Sequence, residues 1–218
     1  MASAETRTHR RNVRGYLPGR LYDLAFGGVL RGVRRSVAAA VARDGLTPWL
    51  DVCCGTGSQF RGLDREPEGR PAIGLDLNPG MLRYAAARAP GRAFIRGDAA
   101  FLPFRAGVFR AVSVTLGLHD KDPDTRVMMM EEAKRVLVQR GRLIAVDFET
   151  PWSPQAKIGA LFARAIERLA GGKHYENGRE FLRCGGLVVF LRENGFVEVS
   201  RRDIATGSIS VVVSRIGS

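Results

Sequence analysis

Trp49-Leu50-Asp51-Val52-Cys53-Cys54-Gly55-Thr56-Gly57, followed by Gly74-Leu75-Asp76, decides the fold of this chain. In the first run Trp49, Leu50 and Val52 do not alternate with polar residues, the pattern of a parallel strand buried on both faces. Gly55 and Gly57 then permit a tight turn and let the backbone approach a ligand that any Cβ would obstruct. The second run, Ala72 to Leu75, delivers Asp76 at its carboxyl end, roughly 20 residues beyond the turn, where an acid can accept both ribose hydroxyls. Together they predict a nucleotide-type cofactor site at the first crossover of a doubly wound sheet.

The rest of the chain extends that sheet. Apolar residues from Leu21 to Val41 recur at helical spacing, broken by Gly27-Gly28 and Gly32, and predict two helices that end at Asp44-Gly45. After the strand at 49–53 come a helix around 58–64 and the strand at 72–76. Asn78-Pro79 opens a helix that runs to Ala89 and stops at Pro90-Gly91. Ala93 to Arg96 and Phe109 to Leu116 read as the third and fourth strands. Asp124 is the expected cap of a helix carrying Met128, Ala133, Val136 and Leu137, closing at Gly141. Leu143 to Phe148 is the fifth strand. Ser153-Pro154 begins a helix with Ile158, Leu161, Phe162, Ala165, Ile166 and Leu169 on one face. A helix over 178–193 precedes Gly195, and Phe196–Arg202 and Ser208–Ser214 flank Thr206-Gly207 as a terminal hairpin. This order predicts an α/β fold: a doubly wound, mostly parallel seven-stranded sheet with a C-terminal antiparallel hairpin and N-terminal capping helices.

At 218 residues the chain is read as one domain, with residues 1–14 a disordered basic arm and 15–45 a helical cap. No apolar run reaches the ~18 residues of a membrane span, and residues 1–14 do not read as a secretory signal. Cys53, Cys54 and Cys184 suit neither a disulfide framework nor a zinc site, and no metal is expected. A reduced cytoplasmic setting follows. Of 34 basic residues only Lys121, Lys134, Lys157 and Lys173 are lysine, which leaves 30 arginines behind a net charge of +12. The first 43 residues hold nine arginines against Glu5 and Asp23, a local excess of +7. A solvated basic surface is the plainest reading, peripheral contact with an anionic membrane the second and nucleic acid the third. Oligomeric state is not legible.

A dinucleotide fingerprint, G-x-G-x-x-G, fails at Phe60, and no phosphate loop is present. Instead the turn resembles the D/E-x-G-x-G-x-G loop of class I S-adenosylmethionine-dependent methyltransferases, with Cys53 in place of its first glycine. Gly74 to Leu82 is similar to the segment whose acid, here Asp76, holds the ribose; the resemblance places Leu77 and Met81 beside the adenine. Gly97-Asp98-Ala99-Ala100-Phe101-Leu102-Pro103-Phe104 is similar to the family's G-D-A-x-x-L-P-F, which implies that Asp98 accepts the adenine amino group and the Ala99 N–H faces the ring. The resemblance also implies that Thr115-Leu116 meets the cofactor's methionine portion, and Thr56 lies within the turn. Taken singly, Asp76 and Asp98 could be turn or cap aspartates. Asp51 is read as orienting the turn and the cofactor amino group.

Within that superfamily the chain most resembles the ubiquinone/menaquinone biosynthesis C-methyltransferases, from about Tyr22 to the end. The matching stretches are Tyr22-Asp23, Val112 to Leu118, Glu132 to Leu137 with Gly141 to Leu143, Asp147-Phe148-x-x-Pro151 and Ile204 to Gly207. Three features depart from the pattern. Val138 to Gly141 lacks the usual Pro-Gly-Gly, His119-Asp120 replaces an Arg-Asn pair, and 152–186 matches poorly. The resemblance implies S-adenosylmethionine as cofactor and methyl transfer to a small apolar, quinone-type acceptor. The rivals are a phospholipid N-methyltransferase, which shares the look of Tyr22 to Gly27, an RNA methyltransferase and a non-enzymatic dinucleotide-binding module. His119 is the candidate base or substrate-orienting residue, weighed equally with a plain loop histidine. Tyr16 and Tyr22 are candidates to close over the cofactor, with a core anchor an equal reading of Tyr22. His174 and Tyr175, after Gly171-Gly172, fall in a candidate lid, with a surface loop the preferred reading.

Overall fold

The structure, a computed structural model, describes residues 32–60, 71–150 and 172–217. Seven strands form one sheet in the order β3-β2-β1-β4-β5-β7-β6: β1 (Trp49–Val52), β2 (Ala72–Asp76), β3 (Ala93–Arg96), β4 (Phe109–Thr115), β5 (Leu137–Phe148), β6 (Phe196–Ile204) and β7 (Ile209–Ile216). The first five run parallel, whereas β7 is antiparallel to both β5 and β6. The strand order reverses between β1 and β4, and open α/β sheets bind ligands at the carboxyl ends of such neighbours. The doubly wound reading and its closing hairpin hold.

Helices cover both faces, because side chains on successive strand residues point to opposite sides. Along β5, Leu143 and Ala145 enter one core cluster, and Ile144 and Val146 enter the other. The first cluster is closed by Met129, Met130, Ala133 and Val136 of α3 (Pro123–Val136), Phe181 of α4 (Gly172–Arg183) and Leu187 and Leu191 of α5 (Gly186–Glu193). The second is closed by Val33, Val37 and Val41 of α1 (residues 32–43) and by Leu82 of α2 (Pro79–Arg88). Residues 1–14, the expected helix between Leu21 and residue 31, residues 61–64 and the helix begun by Ser153-Pro154 lie outside the described residues.

Three local readings are corrected. Asp122, not Asp124, caps α3: its carboxylate accepts the Thr125 N–H at 2.9 Å and the Thr125 hydroxyl at 2.8 Å. Pro123 then takes the first helical position, where a missing N–H costs nothing, and Asp124 sits in the first turn. That helix does not run on to Gly141. Leu137 is extended (φ −72°, ψ 141°) and pairs with Phe109, both buried, before a bulge over 138–141 brings Arg142 opposite Ala111. The expected helix over 178–193 is two helices, broken at Gly185 and Gly186 with φ of +108° and +74°. A Cβ on Gly186 would lie 2.8 Å from Glu149 Oε1, so close packing against the end of β5 enforces the break.

Gly57 is tightly packed. It has φ +64°, and a Cβ there would lie 2.8 Å from both Ala85 Cβ and Phe94 Cε1. Gly55 has φ +52° and nothing within 4 Å of its virtual Cβ. Gly57→Ala should therefore destabilise the fold by roughly 2–4 kcal/mol, from backbone strain plus overpacking. Gly55→Ala, with strain alone, should cost about 1 kcal/mol. Urea unfolding of the two variants checks this, and equal losses would contradict it.

Candidate active site

The cofactor crevice is assembled at the strand tips. β1 stops because Cys53 turns to φ +54°, an uncommon value for a side chain with a Cβ. The following turn is tied to the next strand: Cys54 N–H donates to Leu75 O at 3.0 Å, and Gly55 N–H donates to Asp76 Oδ2 at 2.8 Å. Asp76 Oδ1 accepts the Asn78 N–H at 2.8 Å. Asn78 in turn caps α2, accepting from Gly80 and Met81 N–H. Each Asp76 oxygen thus holds one backbone donor and keeps capacity for a second bond. Burial pushes this carboxyl up, opposed by the N–H groups of Asn78 and Gly55.

Asp51 is held from the other side. It is 1% exposed, and Oδ1 accepts from Ser113 Oγ, which itself accepts the Trp49 indole N–H at 2.8 Å. Oδ2 is buried without a partner. Burial raises this carboxyl to about 7, with the Ser113 hydroxyl opposing the rise and Asp76 adding to it. Burial also pushes the Cys53 thiol up to about 12 and Cys54 well above its usual value, so both stay protonated and neither is a ready nucleophile.

The crevice brings together nearly all the sequence-chosen cofactor residues. Asp51, Cys53, Gly55 and Thr56 line it from the first turn, Asp76, Leu77 and Met81 from the second strand and its helix, Asp98 and Ala99 from the third, and Thr115 and Leu116 from the fourth. Asp98 is fixed by accepting the Ala100 N–H at 2.9 Å. Gly57 packs behind the wall, and Tyr22 and Tyr16 lie outside the described residues. Sequence reasoning missed Arg34, Gln59, Asp120, Lys121 and Asn177, which also line it. His174 belongs with them: it sits on α4, not on a surface loop, and its Nδ1 lies 3.5 Å from Asp120 Oδ2. Burial raises the Asp120 carboxyl, but the His174 ring, Lys121 and His119 together hold it well below the usual carboxylate range.

His119 stands beside the crevice on its β5 side. Its carboxylate partner is not the sequence neighbour Asp120 but Asp147, 2.7 Å from Nδ1. Asp147 is fully buried and also accepts the N–H groups of Leu118, His119 and Phe148 at 2.9, 3.3 and 2.8 Å. The Phe148 ring meets the imidazole edge-on at 4.6 Å.

The donor set fits S-adenosylmethionine. Its amino acid end carries an ammonium that suits the unpartnered Asp51 Oδ2 and Gln59 Oε1, both buried. The ribose hydroxyls suit Asp76, and the adenine suits the apolar wall of Leu77, Met81 and Ala99 next to Asp98.

Known proteins show the family and the fold. A family profile described as "Methyltransferase domain" matches residues 50–141. The demethylmenaquinone methyltransferase of Beutenbergia cavernae is 30% identical over 173 residues, covering 74% of this chain and 70% of that protein. The one from Renibacterium salmoninarum is 33% identical over 203 residues, covering 87% and 83%. Among solved structures, magnesium protoporphyrin IX methyltransferase from Synechocystis with bound SAH superposes with a TM-score of 0.59 at 20% identity, over 99% of this chain and 95% of that one.

Two outcomes follow for the crevice. Asp76→Ala should weaken S-adenosylmethionine binding by more than about tenfold in calorimetry, the loss of a buried charge-assisted hydrogen bond; unchanged affinity would mean that the strand tips do not hold the ribose. Asp51 holds its proton more tightly folded (about 7) than unfolded (3.8), so its contribution to ligand-free stability is full below 3.8 and lost as pH rises to about 7. Asp51→Asn should remove that decline. The stability difference between the two proteins, read from urea midpoints, should then shift against the wild type across this interval.

Proposed function

We propose that this chain, which belongs to the ubiquinone/menaquinone methyltransferase family of S-adenosylmethionine-dependent enzymes, methylates a ring carbon of a small apolar hydroxy-aromatic acceptor of the quinol type. The cofactor supplies an electrophilic methyl group. In-line transfer then needs alignment and the exclusion of water rather than a covalent nucleophile. A ring carbon becomes nucleophilic once its neighbouring hydroxyl, with a pKa near ~10 by analogy with tyrosine, loses its proton.

The observation that carries this reading is the His119–Asp147 pair. With Nδ1–H donating to a carboxylate that three backbone N–H groups hold in place, Nε2 is the basic nitrogen. The pair stands at the tips of β4 and β5, next to Thr115 and Leu116 at the crevice wall. His119 takes the acceptor hydroxyl proton as the ring carbon attacks the methyl. The ring carbon then releases its own proton as aromaticity returns, and the imidazolium returns a proton to the oxygen. The methyl group that the cofactor would supply replaces the ring proton, so one proton leaves per turnover. Phe148 supplies an apolar flank for a flat acceptor.

Incubating the protein with labelled S-adenosylmethionine and separate quinol, phospholipid and RNA fractions tests the acceptor class. Label should enter the quinol fraction. Label confined to phospholipid would favour headgroup N-methylation, and label confined to RNA, with uptake falling steeply in salt, would favour nucleic acid. The arginine excess of +7 in residues 1–43 supports work at an anionic membrane surface, where such acceptors dissolve. His119→Asn should lower kcat by about 100-fold or more while leaving cofactor affinity within about twofold. Asp147→Asn should lower kcat and distort the acidic limb of the pH–rate profile. An unchanged kcat in His119→Asn would remove the base from this account.

A further inference from the structure

In the turn between β4 and α3, two neighbouring residues reach different elements. His119 meets β5, with Nδ1 2.7 Å from Asp147 Oδ1. Asp120 meets α4, with Oδ2 3.5 Å from His174 Nδ1 and its backbone O accepting the Asn177 side-chain N–H at 2.9 Å. His174 and Asn177 stand three positions apart, so they share one face of α4, and both line the crevice. The methyl-transfer chemistry leaves this corner unused.

Asn177 is its pivot. The group it meets on Asp120 is a carbonyl, which only accepts, so the amide nitrogen must face it and the orientation of the side chain is settled. One amide N–H and Oδ1 are then left without a partner among the described residues. The residue is held by its backbone as well. Arg126 donates to Asn177 O at 3.0 Å and, from its other terminal nitrogen, to Glu180 Oε2 at 2.6 Å. Side chain and main chain are both tied before any ligand arrives, so little ordering is left to oppose binding. The nearby charges are paired, Asp120 with Lys121 at 2.5 Å and with His174. A neutral amide beside paired charges suits a neutral group that both donates and accepts, as a hydroxyl does.

We infer that Asn177 reads a second ring hydroxyl of the acceptor. His119 meets the hydroxyl beside the carbon that is methylated, and the Asn177 amide donates to and accepts from the other one. A flat diol lying against the turn is gripped at two points, whereas a ring with one hydroxyl has a single grip and can rotate in the crevice. Asn177 moves no proton; it selects and orients. The inference rests on the quinol-type acceptor proposed above and narrows it to a diol.

Two probes kept under reducing conditions test it: 1,4-dihydroxynaphthalene and 1-naphthol, titrated against protein loaded with S-adenosylhomocysteine. Wild-type protein should bind the diol about tenfold or more tightly than the monophenol. Asn177→Leu should bring the diol down to the level of the monophenol, with 1-naphthol and S-adenosylhomocysteine within about twofold of wild type. With S-adenosylmethionine in turnover, the same variant should raise KM for the diol more than it lowers kcat, and Asn177→Gln should recover part of the preference. Equal wild-type affinities for the two probes would overturn the inference. So would an Asn177→Leu protein, folded by circular dichroism, that weakens both probes alike, the mark of a merely structural role. Loss of S-adenosylhomocysteine in that variant would give the amide to the cofactor and overturn it too. Preferential binding of the diol without methyl transfer would strike the proposed methylation and leave the subsite standing, whereas binding of neither probe to wild type would overturn the subsite.

Discussion

Burying carboxylates at the open ends of parallel strands is the constraint on which this molecule turns. Asp51, Asp76 and Asp147 stand at or near the tips of β1, β2 and β5, and two of them are almost fully enclosed. An ionised carboxylate taken from water must be repaid with donors or give up its charge. The donors are unequally shared. Asp147 has three backbone N–H groups and an imidazole, Asp76 has two N–H groups, and Asp51 has one hydroxyl. That gradient sorts their roles. The satisfied acid holds the loop after β4 in shape, the half-satisfied one joins two turns and keeps capacity for a diol, and the unsatisfied one is raised toward neutrality until a cation arrives.

The wall facing these acids is set by a second buried charge. Arg126, 2% exposed, donates from Nε to Leu118 O and Lys121 O, from one terminal nitrogen to Glu180 at 2.6 Å and from the other to Asn177 O. Its guanidinium also lies 5.0 Å over the Phe181 ring. One side chain of α3 thereby fastens α4 to the loop that carries His119 and Asp120. With Asn177 donating to Asp120 O at 2.9 Å, the position of His174 over the crevice is a consequence of this knot rather than of local sequence. Removing either partner of the Arg126–Glu180 pair would leave the other partly desolvated, so the arrangement is maintained by the cost of breaking it.

What could be read from the chain follows from the range of the interactions involved. Strand tips are local: Asp76 ends an apolar run and Asp51 precedes the glycine turn, and the resemblance of these stretches and of Gly97-Asp98 to a family's segments located most of the rest of the crevice. The sheet order followed from alternating strands and helices with a closing hairpin. Errors arose where two local signals competed. Asp122 and Asp124 are both fair caps, and the Pro123 between them selects the first. Leu137 suits a helix, but pairing with Phe109 buries it in the core. The remaining site residues depend on packing that no spacing encodes. Gln59 reaches Thr115 across 56 positions, His119 finds Asp147 across 28, and Arg34 enters from the opposite face's helix.

Two of the departures from the family's motifs, at Cys53 and at His119, have a common physical setting. Cys53, in place of a glycine, keeps the left-handed backbone a glycine would adopt, at φ +54°, and Leu116 at the neighbouring tip does the same at φ +52°. Such conformations cost of order 1 kcal/mol or more each and persist where the surroundings enforce them. Here the enforcement is visible. A Cβ on Gly117 would lie 2.9 Å from Cys53 Cβ, so the cysteine side chain fits because residue 117 has none. The Leu116 N–H donates to Val146 O at 2.7 Å, which holds the tip of β4 to β5 and delivers His119 to Asp147. Cys53 at the cofactor turn and His119 beside Asp147 are therefore linked through one short loop, residues 116–119, whose backbone is fixed at both ends.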